Sequence, residues 1–594
     1  MTSPREGLPL VIVGGDGMDA ILTERWMADG HLPNLARISS EGGYGRLHTT
    51  SPAESPVAWS TFATGLNPGR HGIFGFLHRD PRTYLPRVSM VTLRDGEAEG
   101  HREGTPFWDF VGAEGFRVAL LRVPLTFPPE PVNGVVVSGL GMPDLLMSWG
   151  TSSLYTTEPG KRREHRVQVE WCDASIATSV CGPGGSAISL HLTRAPRNDT
   201  LTIALQGTHL TLRPREWSSW TPLVFIRGSQ EWHGICRFYL LSLEPHLRLY
   251  LSPVHQHPLR PLYPFTYPSS LAHTLVDAMG LFPTLGWAED VTGLNAGHLD
   301  EDGFLEQAYY MLDEQEKVTF WALENESPDL LISVTEVTDR IAHVFMGRDR
   351  GDERSGAVLE CYQRFDAFVG RVVTAVGTGA TVIVLSDHGF APMHHVVHVN
   401  SWLRDSGYLV LHESENRSPH KGPFWPDVDW RRTRAYALGL SHIYVNLRGR
   451  ERLGCVEPGG EYTRLCREIA ARLSQLRDPE SGESVVGRVL LRDQIYSGPC
   501  IDRSGDLVVA FRRGYRTSEQ TAVGGVPTQV VVPNRRRAWS ADHCSVDPDE
   551  VPGVLFCNRP LNFAEAGLID IAPTVLDLLG VSVPKGLEGR SLVP

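Results

Sequence analysis

Short, continuous apolar runs alternate with stretches of helical period at both ends of this chain, while its middle alternates apolar and polar residues one by one. Leu10 to Val13 is followed by a glycine turn and a helical stretch around Ala20 to Asp29. Val118 to Leu121, Val135 to Val137, Leu330 to Val334, Thr381 to Leu385 and Leu507 to Ala510 read as further strands of the same kind. Apolar strands separated by helices predict an α/β fold, with a mostly parallel central sheet covered by helices on both faces. From about Val167 to Leu251 the period falls to two, as in AISLHL from Ala187, LTIAL from Leu201 and HLRLYL from His246. That pattern predicts an antiparallel, β-rich insertion. The chain therefore divides into an α/β domain formed by residues 1–160 and 256–594 and an insertion at 161–255. The Pro-rich, aromatic segment His255 to Ser270 leads back to the main fold, and a polar excursion from about Asn416 to Trp430 reads as a surface loop.

Composition narrows the function. With 41% hydrophobic and 21% charged residues, the 594-residue chain packs as a globular protein of several domains. A net charge of −13 argues against a nucleic-acid backbone as the main partner. The basic runs Lys161 to Arg163 and Arg535 to Arg537 read as solvated loops. Nine cysteines, an odd number without CxxC pairs, offer neither a disulfide framework nor a cysteine zinc site. The Leu8 to Val13 run is too short for a signal-peptide core, and no run approaches a membrane span. The expected location is the cytoplasm.

Candidate chemistry collects where strands end. VIVGGDGMD places Asp16 after a strand and two glycines, and VIVLSDHGF places Asp387 and His388 after another. An unpaired carboxylate in an apolar setting costs several kcal/mol, which a divalent cation removes. An aspartate there serves equally to cap the next helix. In LLISVTEVTDRIAH, Asp339 and His343 stand four apart, on one face of a helix. Such a pair makes two legs of a metal site or a plain surface pair. In SPAESPVAWSTFAT, Ser55 and Pro56 read as a helix start, with the serine at the cap and its hydroxyl near free amides and the positive helix end. WSADHCSVD adds His543. Together these make an inventory for two nearby metals and an activated hydroxyl, the set needed for in-line phosphoryl transfer.

Three longer stretches, AWSTFATGLNPGRHGIFGF, VPLTFPPEPVNGVVVSG and LIDIAPTVLDLLGVSVPKGLEGRSL, resemble in their order the alkaline phosphatase superfamily, within it the branch of nucleotide pyrophosphatases and type I phosphodiesterases. The resemblance covers roughly residues 8–150 and 270–592 and leaves the β-rich insertion without a counterpart. It implies an alkaline phosphatase-like fold and two divalent metal ions, zinc or alternatively manganese. Asp339, His343 and His543 would hold one, and Asp16, Asp387 and His388 the other. It implies Ser55, nine residues before Thr64, as the nucleophile that bridges toward the second metal, with Arg70 or His71 as further help. Two positions depart from the family pattern. Phe76 stands where the nucleotide pyrophosphatases carry a phosphate-holding asparagine, and the nucleophile is serine rather than the usual threonine. A sulfatase is disfavoured, because SPVAW puts Pro56 one position early and Trp59 where that pattern needs arginine.

The implied activity is metal-dependent hydrolysis of a phosphodiester or pyrophosphate bond through a phosphoseryl intermediate on Ser55, acting on a small-molecule phosphate ester or nucleotide-like substrate. A phosphomonoesterase or phosphotransferase would use the same site, because that choice lies in the pocket walls. A binding protein that kept the fold has no need of six metal ligands and a hydroxyl.

Overall fold

The computed structural model describes residues 9–594 apart from 95, 161–164, 196–198, 349–350, 413–422, 426 and 537. The basic run Lys161 to Arg163, Arg537 and much of the Asn416 to Trp430 excursion lie outside the described residues.

An eight-stranded sheet organises the chain. Leu10–Gly15 lies at its centre, parallel to Leu330–Thr335 on one side and to Thr381–Leu385 on the other. Val118–Leu121 and Gly134–Val137 continue the parallel run beyond Leu330–Thr335. The margins are antiparallel: Gly553–Cys557 and Gly43–Leu47 on one side, Thr266–Tyr267 on the other. The central strands are apolar throughout because both faces are covered. Val11 and Val13 pack toward helices Ala20–Ala28, Glu301–Asn325 and Ala357–Val376 through Trp26, Leu312 and Phe365. Leu10 and Ile12 point the other way, toward helices Ser55–Thr64, Phe107–Ala113 and Ile571–Leu578 through Phe62, Trp108 and Leu576. Among the described residues, no helix is long and apolar enough to cross a membrane.

One predicted strand belongs elsewhere. Leu507–Phe511 pairs antiparallel with His442–Val445 and Val486–Leu491 in a separate four-stranded sheet, backed by helix Gly460–Leu473. A short apolar run buried on both faces looks the same in either setting, so the pattern alone misplaces it. Gly553–Cys557, buried throughout, fills a main-sheet position that the sequence reading leaves unassigned.

The middle of the chain forms further sheets around a core of its own. Ala187–Arg194 buries Ile188, Leu190 and Leu192 and turns Ser189 and His191 outward, the period-two pattern read from the sequence.

Candidate active site

Three neighbouring strands deliver the acids. Asp16 follows Leu10–Gly15, Asp387 and His388 follow Thr381–Leu385, and helix Val337–Phe345, carrying Asp339 and His343, follows Leu330–Thr335. Parallel α/β sheets present ligand sites at these carboxyl ends. The glycines of GGDG make the approach possible. A Cβ on Gly14 would lie 2.9 Å from the Trp59 ring, and Gly17 has φ +72° with a Cβ position 2.5 Å from Phe390. The Gly17 amide donates to Asp387 Oδ1 at 3.2 Å, and the Met18 amide to Ser386 Oγ at 2.8 Å, tying the first loop to the third.

Ser55 is the first residue of helix Ser55–Thr64, not its cap; Glu54 holds the cap position. The expected supply of free amides is also smaller, because Pro56 has no N–H and the Val57 and Ala58 amides donate to the Glu54 carbonyl. The hydroxyl faces charge instead: Ser55 Oγ lies 3.2 Å from His388 Nε2 and 3.5 Å from Asp16 Oδ1. One turn on, Trp59 Nε1 donates to Asp16 Oδ2 at 2.8 Å. The neighbouring hydroxyls are engaged elsewhere. Ser60 donates to the Pro56 carbonyl, and Thr61 meets His71 Nε2 at 3.0 Å. His71 is thus committed inside the fold, its pKa pushed down to about 3 by burial and by Arg102. Arg70 donates to the Gly586 carbonyl. The partners of both lie outside the seven candidate residues.

All seven candidate residues converge, and all are buried. Two groups have ligand atoms close enough to share a cation: Asp16 with Asp387 and His388, and Asp339 with His388 and His543. His388 belongs to both. His343 reaches the second group through Asp339, with Nε2 3.5 Å from Oδ2. The imidazoles are oriented alike. Nδ1 of His343, His388 and His543 lies 2.9, 3.1 and 2.6 Å from the carbonyl oxygens of Ala541, Gly389 and Ala53. A proton on each Nδ1 satisfies those contacts and leaves every Nε2 lone pair aimed at carboxylates. His543 Nε2 is 3.3 Å from Asp339 Oδ1, and His388 Nε2 is 3.2 Å from Asp387 Oδ2. The rings are held by stacking: His388 on His543 with centroids 3.6 Å apart, and Trp539 on His343 at 4.0 Å.

Lone pairs facing carboxylates repel unless a cation lies between them. Both oxygens of Asp339 and Oδ2 of Asp387 are buried without a hydrogen-bond donor, a cost that native structures rarely leave standing. Burial and the Asp339 charge push Asp16 up to about 7, and burial with the Asp16 charge holds Asp387 well above the carboxylate range. Burial keeps His388 well below the usual imidazole value and His343 at about 4. Burial would also lower His543, but the adjacent Asp339 carboxylate outweighs it and raises that imidazole. Burial opposes ionisation of Asp339 too, yet His343, Arg340 and His543 together hold it below its usual value. The donor set, oxygen and imidazole nitrogen without thiolate, suits zinc and manganese. The residues fit divalent cations.

The sequence reading missed several residues that shape the site. Arg340 sits beside Asp339, with Nη1 3.4 Å from Oδ2, and its guanidinium lies over the Trp287 ring at 3.9 Å. Asp542 accepts from Trp539 Nε1 at 2.7 Å and lies 2.9 Å from Arg516 Nε, bracing the segment that carries His543. An arginine directly after Asp339 and four residues after Glu336 was a usable signal for Arg340. Trp287 is remote in sequence from the motifs and carried none, and Trp539, although it opens WSADHCSVD, has no periodicity that singles it out.

A family model described as Type I phosphodiesterase / nucleotide pyrophosphatase matches residues 10–528. Among solved structures, phosphonoacetate hydrolase from Sinorhizobium meliloti 1021 in complex with phosphonoformate is 14% identical, with a TM-score of 0.45 over 96% of this chain and 97% of that chain. The same hydrolase with phosphonoacetate is 15% identical at a TM-score of 0.46, with the same coverage. Murine ectonucleotide pyrophosphatase/phosphodiesterase 5 is 11% identical at 0.43, over 97% of this chain and 96% of that one. No curated protein matches the chain.

Proposed function

Because the chain belongs to the type I phosphodiesterase / nucleotide pyrophosphatase family, we propose that it hydrolyses a phosphodiester or pyrophosphate bond through a phosphoseryl intermediate on Ser55 at a two-metal site. The observation that carries this reading is the set of buried, donorless oxygens of Asp339 and Asp387 grouped with three Nε2 lone pairs beside a serine hydroxyl. Asp339, His343 and His543 would hold one divalent cation and Asp16, Asp387 and His388 the other, with Ser55 reaching the second. Bound there, zinc or manganese would supply Lewis-acid charge for the phosphoryl oxygens and for the serine alkoxide.

The chain's own residues do the rest. Ser55 Oγ forms the new bond to phosphorus as the ester oxygen departs, and water then cleaves the phosphoseryl bond and restores the hydroxyl. Trp59 fixes the Asp16 carboxylate, and the three backbone carbonyls fix the imidazole tautomers, so the site enters the reaction already oriented. Arg340, buried and with Nε lacking a partner, lines the cavity over Ser55 as a cation for one phosphoryl oxygen. The test is turnover of bis-p-nitrophenyl phosphate by purified protein, alongside its metal content. Hydrolysis lost on chelation and restored by zinc or manganese is expected. Full activity after exhaustive chelation would refute the metal mechanism.

A further inference from the structure

A cavity of about 320 Å³ opens directly over Ser55, Asp339, His343 and His543. Its walls come from segments far apart in the chain, and they are apolar. Phe76 and Trp287 stack at 5.5 Å to form one wall, while Trp149 and Trp539 face the same space. These large side chains are only half-buried, and apolar area gathered in a concavity beside reactive groups marks a binding surface. The hairpin of Leu77–Arg79 and Pro86–Val88 contributes by its pleat. Leu77 pairs with Val88 and both line the cavity, whereas His78 and Arg87, one residue along, line a separate cleft on the other side.

Away from the acid and imidazole cluster, the charged side chains that line the cavity have ionic partners. Arg516 lies 2.9 Å from Asp542 and 3.3 Å from Glu519, and Glu519 also meets Arg536 at 2.7 Å. Arg340 pairs with Asp339 and Glu336 and keeps one unpartnered N–H. A second phosphate, a carboxylate or an ammonium group entering here would give up hydration without a free countercharge.

We propose that the organic group on the reacting phosphorus is apolar and uncharged, an aryl ring or an alkyl chain, seated against Phe76, Trp149, Trp287 and Trp539. The inference rests on the phosphoester-hydrolase reading and names the substrate class of that same site. A single phosphoryl charge meets the acid and imidazole cluster and Arg340, and the remainder of the molecule leaves water.

Phosphonates that carry one organic group test this, because that group has one place to go. Affinities of the metal-loaded protein for methyl-, butyl-, octyl- and phenylphosphonate are measured by calorimetry. Each methylene carried out of water strengthens binding up to about fourfold, so butylphosphonate, with three more, is expected to bind between about tenfold and about sixtyfold tighter than methylphosphonate, with phenylphosphonate at least equal to it. Trp287→Ala should flatten that gain, and Leu440→Gln, a milder change at the half-buried cavity wall, should reduce it. Equal affinity along the series, or no binding of any member, overturns the inference. The hydrolase reading is judged separately, by turnover of bis-p-nitrophenyl phosphate in the same preparation.

Discussion

Among the described residues, two clusters of buried charge invite comparison because they are built on opposite principles. In the C-terminal sheet region, Arg79 meets Glu451 at 3.0 Å, and Arg450 meets Asp506 at 2.6 Å and Glu451 at 2.9 Å. The Val445 amide and the Tyr462 hydroxyl complete the Asp506 carboxylate at 2.7 and 2.9 Å. Every carboxylate oxygen there has a donor. At the sheet's carboxyl ends, Asp16, Asp339 and Asp387 crowd together, with imidazole lone pairs turned toward them and three oxygens without donors. Burial costs both clusters alike. One is neutralised from within the chain and so serves the fold. The other keeps buried oxygens without donors even with Arg340 beside Asp339, the condition a bound cation would relieve.

The sharpest way to break this contrast is at Ser55. Ser55→Ala should lower diesterase turnover by on the order of a thousandfold or more and leave metal content near normal. Ser55→Thr should keep measurable activity. Near wild-type rates in the alanine protein would remove the covalent route while sparing the metal site.

Metal occupancy gives the next largest difference. Purified protein should hold close to two divalent ions per chain, as the two ligand groups imply, and Asp387→Asn and His343→Ala should each lower that number by elemental analysis. Asp506→Asn should leave it unchanged.

Stability should then separate the clusters by sign. Asp506→Asn takes away one of the two carboxylates that hold the buried Arg450 and should cost up to about 3–5 kcal/mol. Asp387→Asn in chelated protein removes a carboxylate with one donorless oxygen beside Asp16 and should raise the melting temperature. Equal destabilisation by the two changes would mean that the acidic site is as self-sufficient as the paired one.

The smallest expected effect is on pH. His442, beside Arg79 in the paired region, is held down from 6.5 to about 4, first by burial and then by the Arg79 charge. His71 and His255, away from the metal ligands, are lowered to about 3 by burial. In each case the unfolded chain takes up the proton first. Their contribution is therefore complete above 6.5 and is lost as pH falls toward 3 to 4. Denaturant midpoints measured between pH 7 and 4 should decline, and His442→Gln should make that decline shallower.

The sequence by itself determined the strands Leu10–Gly15, Leu330–Thr335 and Thr381–Leu385 and the acids at their ends, because an apolar run followed by Asp is a local signal that reads the same at any place in the chain. It also determined the period-two region with Ile188, Leu190 and Leu192 inward, since the pleat alone sets that alternation. His543 was legible only through likeness to a family, as WSADHCSVD has no periodicity that singles it out. Tertiary structure decided what depends on distant partners. It put Leu507–Phe511 in its own sheet, gave Arg70 and His71 partners outside the candidate residues, and moved Ser55 from the cap into the first turn of its helix. It also brought Trp149, Trp287, Arg340 and Trp539 around one cavity. Strand partnership and pocket walls are set by contacts between residues hundreds of positions apart, whereas period, glycine turns and strand-end acids are set by near neighbours, and only the latter can be read from the order of residues along the chain.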